Sequence, residues 1–118
     1  MDFATFRSIC LSMDGVTEDF PFDETTICFR VGNKIFSFCD VESFPFRFNL
    51  KCDPDLALEL REKYSCITPG YYSNKKHWNT IEPDGSISDE LITEMAKHSY
   101  QLVYDKLPKK VRETIKKS

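Results

Sequence analysis

Two alternating runs joined by Gly32-Asn33 constrain this chain more than any other feature. Residues 25–31 and 34–40 alternate apolar and polar side chains, and Gly-Asn is a two-residue signal for a tight hairpin turn. Such a turn sets the register, pairing Val31 with Lys34 and Phe29 with Phe36. Side chains alternate across a strand, so Ile27, Phe29, Phe36 and Phe38 are expected to share one face and Cys28, Arg30, Ser37 and Cys39 the other. The first face reads as core. The second reads as half-exposed or covered by a smaller element.

Helical periodicity flanks this hairpin. Phe3, Phe6, Ile9, Cys10 and Met13 recur at helical spacing behind Asp2, a plausible N-cap, and ahead of Gly15, which predicts a first helix over about 2–13. Residues 17–24 read as an acidic loop punctuated by Pro21. A third strand is expected at about 46–51, with Phe46, Phe48 and Leu50 alternating against Arg47, Asn49 and Lys51. Asp53-Pro54 opens a second helix, the Asp as cap and the Pro at its first position. Leu56, Ala57, Leu60 and Tyr64 form its apolar stripe, and Arg61 and Lys63 suit the negative end of its dipole. Short strands near 66–68 and 77–82 flank Pro69-Gly70. Ser88 caps the longest helix, whose period runs through Leu91, Ile92, Met95, Ser99, Leu102 and Val103 to Leu107. Pro108 stops it, and a basic terminal helix at 109–117 carries Val111 and Ile115.

The expectation is an α+β fold, an antiparallel β-sheet with helices packed on one face, in the order α-β-β-β-α-β-β-α-α, forming a single domain over residues 1–118. Hydrophobic residues at 41%, with ten Phe, make the composition globular. No apolar run approaches the ~20 residues of a membrane span, and the N-terminus lacks the basic and apolar regions of a secretory signal, so a cytoplasmic protein without a membrane role is expected. The cysteines, Cys10, Cys28, Cys39, Cys52 and Cys66, are odd in number and contain no CxxC pair. They read as buried, reduced thiols rather than as a disulfide framework or a zinc site.

The net charge of −3 argues against a dedicated polyanion binder, but the charge is unevenly spread. Residues 105–118 hold Lys106, Lys109, Lys110, Arg112, Lys116 and Lys117 against Asp105 and Glu113. A second polar cluster is Ser73-Asn74-Lys75-Lys76-His77-Trp78. There the lysines suit phosphates while Trp78 or Tyr71 suits a base face. The alternative is that Trp78 anchors the core and Asn74 holds the turn through its own backbone.

Pro69-Gly70-Tyr71-Tyr72, Asn74 through Thr80, Ser99 through Val103, Leu107-Pro108-Lys109-Lys110, Gly15-Val16-Thr17-Glu18, Pro21-Phe22 and Lys34 together resemble the MmcQ/YjbR family in order along nearly the whole chain. Two loop positions depart from that pattern: Asp23 stands where the family usually has Gly, and Met13-Asp14 where it commonly has Leu-Pro. The resemblance implies a sheet with helices on one face, like type III secretion chaperones and, distantly, frataxin-like proteins. It also implies a DNA-binding, non-catalytic module.

On that reading the candidate nucleic-acid contacts are Asn74, Lys75, Lys76, His77, Trp78, Lys109, Lys110 and Arg112, supplemented by Arg30, Arg47 and Lys51 on one sheet face. DNA would be held weakly and without sequence preference. The alternative is a protein-interaction adaptor, and a small-molecule module at the Trp78 loop comes third. No cofactor or metal is expected. The acids Glu18, Asp19, Asp23 and Glu24 read as a solvated loop rather than a cation site. A Cys66–His77 pair is the one conceivable nucleophile and base, and an unrelated buried thiol and surface imidazole are the simpler reading. No glycine-rich phosphate loop is present.

Overall fold

The computed structural model describes residues 1–70 and 74–115. Tyr71, offered above as a stacking ring, and Lys116 and Lys117 of the basic terminus lie outside the described residues. The elements run α1 (Phe3–Leu11), β1 (Thr17–Asp19), β2 (Thr26–Val31), β3 (Lys34–Asp40), β4 (Phe48–Lys51), α2 (Pro54–Lys63), β5 (Ile67–Pro69), β6 (Trp78–Ile81), α3 (Asp89–Asp105) and α4 (Lys109–Ile115). All six strands form one antiparallel sheet in the order β1-β2-β3-β4-β6-β5. No described helix is long and apolar enough to cross a membrane.

The capping chemistry expected from the sequence is in place. Asp2 accepts from the Thr5 amide at 2.8 Å, Asp53 from Asp55 and Leu56 at 3.2 Å, and Ser88 from Leu91 at 3.1 Å. Gly32 and Asn33 both take positive φ, 56° and 66°, as a two-residue turn of the right twist requires. A Cβ added to Gly32 would also lie 2.6 Å from a Leu107 methyl and 3.1 Å from Val111, so this glycine is where the C-terminal segment seats on the hairpin.

The register departs from expectation two residues beyond that turn. Val31 does pair with Lys34 and Arg30 with Ile35, but Phe29 pairs with Ser37, not with Phe36. A β-bulge leaves Phe36 without a partner in either neighbouring strand. Phe36 and Ser37 are both buried, and every side chain beyond them changes face. Cys39, opposite Ile27, joins the core, whereas Phe38, opposite Cys28, turns away from the helices. Phe38 on the helix-covered face is therefore corrected. The Ser99 hydroxyl of α3 donates to the Phe36 carbonyl at 2.6 Å, tying the bulge to the longest helix.

Residues 17–19, expected as loop, form an edge strand on β2. Glu18 receives the Arg7 guanidinium at 2.7 Å and Asp19 receives Arg30 at 2.9 Å, so partners outside the segment settle it. Helices α1, α2 and α3 cover one sheet face. Phe6 stacks on Phe48 with centroids 4.0 Å apart and meets Phe29 edge-on at 6.0 Å. Tyr100 packs edge-on against Phe36 and donates its hydroxyl to the Asp14 carbonyl at 2.6 Å.

Candidate functional site

The helices leave the other sheet face open. Across the register, Cys28, Phe38, Asn49, Thr80 and Thr68 stand in one row, because directly opposed residues of an antiparallel sheet project to the same side. Thr26 with Asp40, Arg30 with Ile35, and Lys51 with Trp78 occupy parallel rows. The result is a cleft of about 1150 Å³ floored by strands and rimmed by the loops before β2 and after β3 and β6.

Its floor carries one aromatic pair, Phe38 and Trp78, with centroids 5.2 Å apart and planes inclined by 59°. Beside it, Thr80 donates to Asn49 Oδ1 at 2.6 Å and Asn49 Nδ2 to the Phe38 carbonyl at 3.3 Å. These bonds fix the polar row in place. At the rim, Phe22 is 71% exposed, and Phe44, next to rim residue Ser43, is 95% exposed beside a cis peptide to Pro45. Large apolar side chains left this exposed are the informative kind of surface.

Charge on this face is mostly negative. Four carboxylates line the cleft, those of Asp23, Asp40, Glu82 and Asp84, against one guanidinium, Arg47. Arg47 is itself bonded to Glu82 at 2.8 Å. Amides of Thr26 and Thr25 hold the Asp23 carboxyl below its ordinary range, and the Ser86 hydroxyl and amide do the same for Asp84. Both are therefore anionic at neutral pH.

The residues proposed from the sequence fall in two places. Asn74 holds a turn: its Oδ1 accepts from the Lys76 amide at 2.9 Å, and its carbonyl from the His77 amide at 3.1 Å. Lys75 and Lys76 are exposed at the tip of that turn. His77 is half-buried, and its carbonyl accepts from Cys52 at 2.7 Å. Trp78 is neither a core anchor nor fully exposed; it lies on the open face. Lys109 and Lys110 are exposed on α4, and Arg112 donates to the Asp105 carbonyl at 3.4 Å. Helix α4 seats at Gly15 and Gly32, on a different element from the Lys75 turn. Arg30, Arg47 and Lys51 do share the open face, but Asp19 and Glu82 neutralise the two arginines.

Sequence reasoning missed Arg61. It was read as complementing a helix dipole, yet it clamps the Lys75 turn, donating to Asn79 Oδ1 at 2.7 Å, to the Lys75 carbonyl and to the Trp78 carbonyl at 3.4 Å. It also missed the cleft, whose aromatic floor exists only because the bulge turns Phe38 outward. Cys66 and His77 lie at opposite ends of β6, since Cys66 accepts from the Glu82 amide at 3.0 Å. Five residues of strand separate those positions by roughly 16 Å, beyond hydrogen-bond reach. All five cysteines are free and buried. Burial pushes the Cys28 and Cys52 thiols up to about 11 and the Cys39 thiol up to about 12, away from nucleophilic character. Among the described residues no three His, Cys, Asp or Glu side chains come together as a metal would need.

The features define a small antiparallel α+β fold with a one-sided helical layer and an open, aromatic, acid-lined face. The chain belongs to the YjbR family, whose model matches residues 11–102. It is 34% identical to YbdF of Escherichia coli O157:H7 over 113 residues, 95% of this chain and 92% of that one. It is 29% identical to YjbR of Escherichia coli K12 over 116 residues, 98% of each. A crystal structure of a Deinococcus radiodurans protein superposes with a TM-score of 0.90 at 37% identity, over 97% of this chain and 87% of that one. A Pseudomonas syringae structure, at 24% identity and a TM-score of 0.73 over 87% of this chain and 99% of that one, shares the fold. None of these names states an activity.

Proposed function

We propose that this chain is a non-catalytic binding module, a protein-interaction adaptor whose working surface is the open face of the sheet. The observation that carries this reading is the cleft itself: an aromatic floor of Phe38 and Trp78, with Phe22 71% exposed at its rim. A face left without helices, bearing exposed rings beside fixed polar groups, suits a partner's side chains. The edge strands β1 and β5 are three residues each, too short to recruit a long added strand, so recognition falls to side chains across the face.

Nucleic-acid contact is the second reading, favoured by the exposure of Lys75, Lys76, Lys109 and Lys110. Those lysines sit on two separate elements, and the cleft between the strands' loops carries carboxylates that repel phosphate. The basic surface is thus fragmented where a duplex would need it continuous.

Six strands about 4.8 Å apart span roughly 24 Å, about seven residues of extended chain. An unbiased library of peptides of about that length, selected against the whole chain, supplies probes. Amide shifts of the labelled protein then locate their binding, with the indole of Trp78, the sole tryptophan, as marker. Shifts grouped at Phe38, Asn49, Thr68, Trp78 and Thr80 are expected. Shifts grouped on α2 and α3, or binding of duplex DNA alone, overturn the reading.

A further inference from the structure

We infer that the occupant of the open face is an extended protein segment that carries arginine or lysine side chains next to apolar ones; this rests on the open-face reading above and specifies its partner. The inference comes from charge complementarity. Four carboxylates to one guanidinium line the cleft, and even with Lys51 opposite Trp78 on the same face the balance stays negative, while the net charge of the whole chain is only −3. A cleft lined by one sign of charge concentrates ligands of the other.

The carboxylates are also placed for a partner rather than for one another. Asp23, Asp40 and Asp84 each sit in a local turn, where one oxygen or the other accepts backbone amides: Thr26 at 2.6 Å, Glu42 at 2.8 Å and Ser86 at 2.9 Å, respectively. Those bonds orient each group and hold it at the rim while leaving its net charge in place. Arg47, the cation of the lining, is occupied by Glu82.

Between the acidic rims lies the Phe38–Trp78 pair. An indole face is the best aromatic partner for a guanidinium, and the adjoining Phe38 ring and Ile35 accept an aliphatic chain. Cation and apolar group are thus recognised side by side, on neighbouring rows of one sheet. Side chains along an extended segment alternate in direction, so residues two apart reach those rows together.

The size of the site argues for a segment rather than a lone amine. A volume of about 1150 Å³, open along one side, exceeds what a small-molecule pocket usually encloses. Phosphate-bearing ligands are excluded by the same field that attracts the cation.

Two synthetic peptides of about seven residues test the inference. One alternates arginine with leucine and serine; the other replaces each arginine with glutamate. Binding is read by Trp78 emission and by amide shifts of the intact chain. The arginine peptide should bind with shifts at Phe38, Asn49, Thr68 and Thr80, and the glutamate peptide at least tenfold more weakly. Exchanging Asp40→Asn and Asp84→Asn together keeps both turns, because an amide oxygen still caps, but removes two charges. That variant should bind the arginine peptide roughly five- to twentyfold more weakly, at a few-fold per exposed charge pair. Equal binding of the two peptides on this face overturns the charge assignment while leaving the open-face reading intact. Failure of the arginine peptide to bind, or its binding undiminished by the double exchange, also overturns it. If library-selected peptides shift only α2 and α3, the open-face reading itself falls.

Discussion

Replacing Ser99 by alanine tests whether the bulge in β3 is held from outside its own strand. Ser99 is fully buried on α3, and its hydroxyl reaches the Phe36 carbonyl at 2.6 Å, at the residue that has no partner in either neighbouring strand. Removing the hydroxyl leaves a buried carbonyl without this donor, which costs about 1–3 kcal/mol. Unfolding entropy near 2.1 cal/mol/K per residue, over 118 residues, makes each kcal/mol worth about 4 °C. Ser99→Ala should therefore lower Tm by roughly 4–12 °C in a thermal melt followed by far-UV circular dichroism. Ser12→Ala is the control, because Ser12 donates to the Ile9 carbonyl at 2.6 Å in solvent, where water replaces it. A Ser99→Ala protein melting within about 1 °C of the parent would refute the reasoning, since the Phe36 carbonyl would then need no help from α3.

Gly32→Ala should cost about 1–2 kcal/mol from its positive φ and more from the Leu107 contact, whereas Gly85→Ala, at φ 87° with nothing within 4 Å, should cost only the backbone part; chemical denaturation of both variants separates the two. Stability should fall under alkaline conditions. Burial raises the folded thiols above the ordinary value of 9.0, to about 11 for Cys28 and about 12 for Cys39, so the unfolded chain releases its protons first. The contribution is whole below about pH 9 and lost as pH rises toward those folded values, so Tm should drop as pH is raised from about 9 toward about 11, and less so in Cys39→Val. Any duplex binding should be weak and sequence-tolerant, with log K falling against log salt at a slope of about −4 to −5. Exchanging Lys75, Lys76, Lys109 and Lys110 for Gln should flatten that slope for all duplexes alike; titration at two salt concentrations reads it, and tight binding at high salt would contradict it.

Local chemistry in the sequence determined most of the framework. Gly32-Asn33 specifies the hairpin, Asp2, Asp53-Pro54 and Ser88 start their helices, and Pro108 ends α3, because caps and turns depend on residues within a few positions of one another. Period-two alternation likewise placed Asn49 opposite the core side, since pleating is local. Three features were decided only by tertiary structure. The bulge at Phe36 meets a hydroxyl 63 residues away, and a one-residue slip exchanged Phe38 for Cys39 in the core. Strand β1 exists through its pairing with β2, with Arg7 and Arg30 meeting Glu18 and Asp19, while the segment alone reads as acidic loop. The candidate site joins Phe22, Phe38, Trp78 and Asp84, which come from three separate stretches of chain. No window of sequence contains them together, and their common field and exposed rings arise only where the sheet lays them on the face its helices leave uncovered.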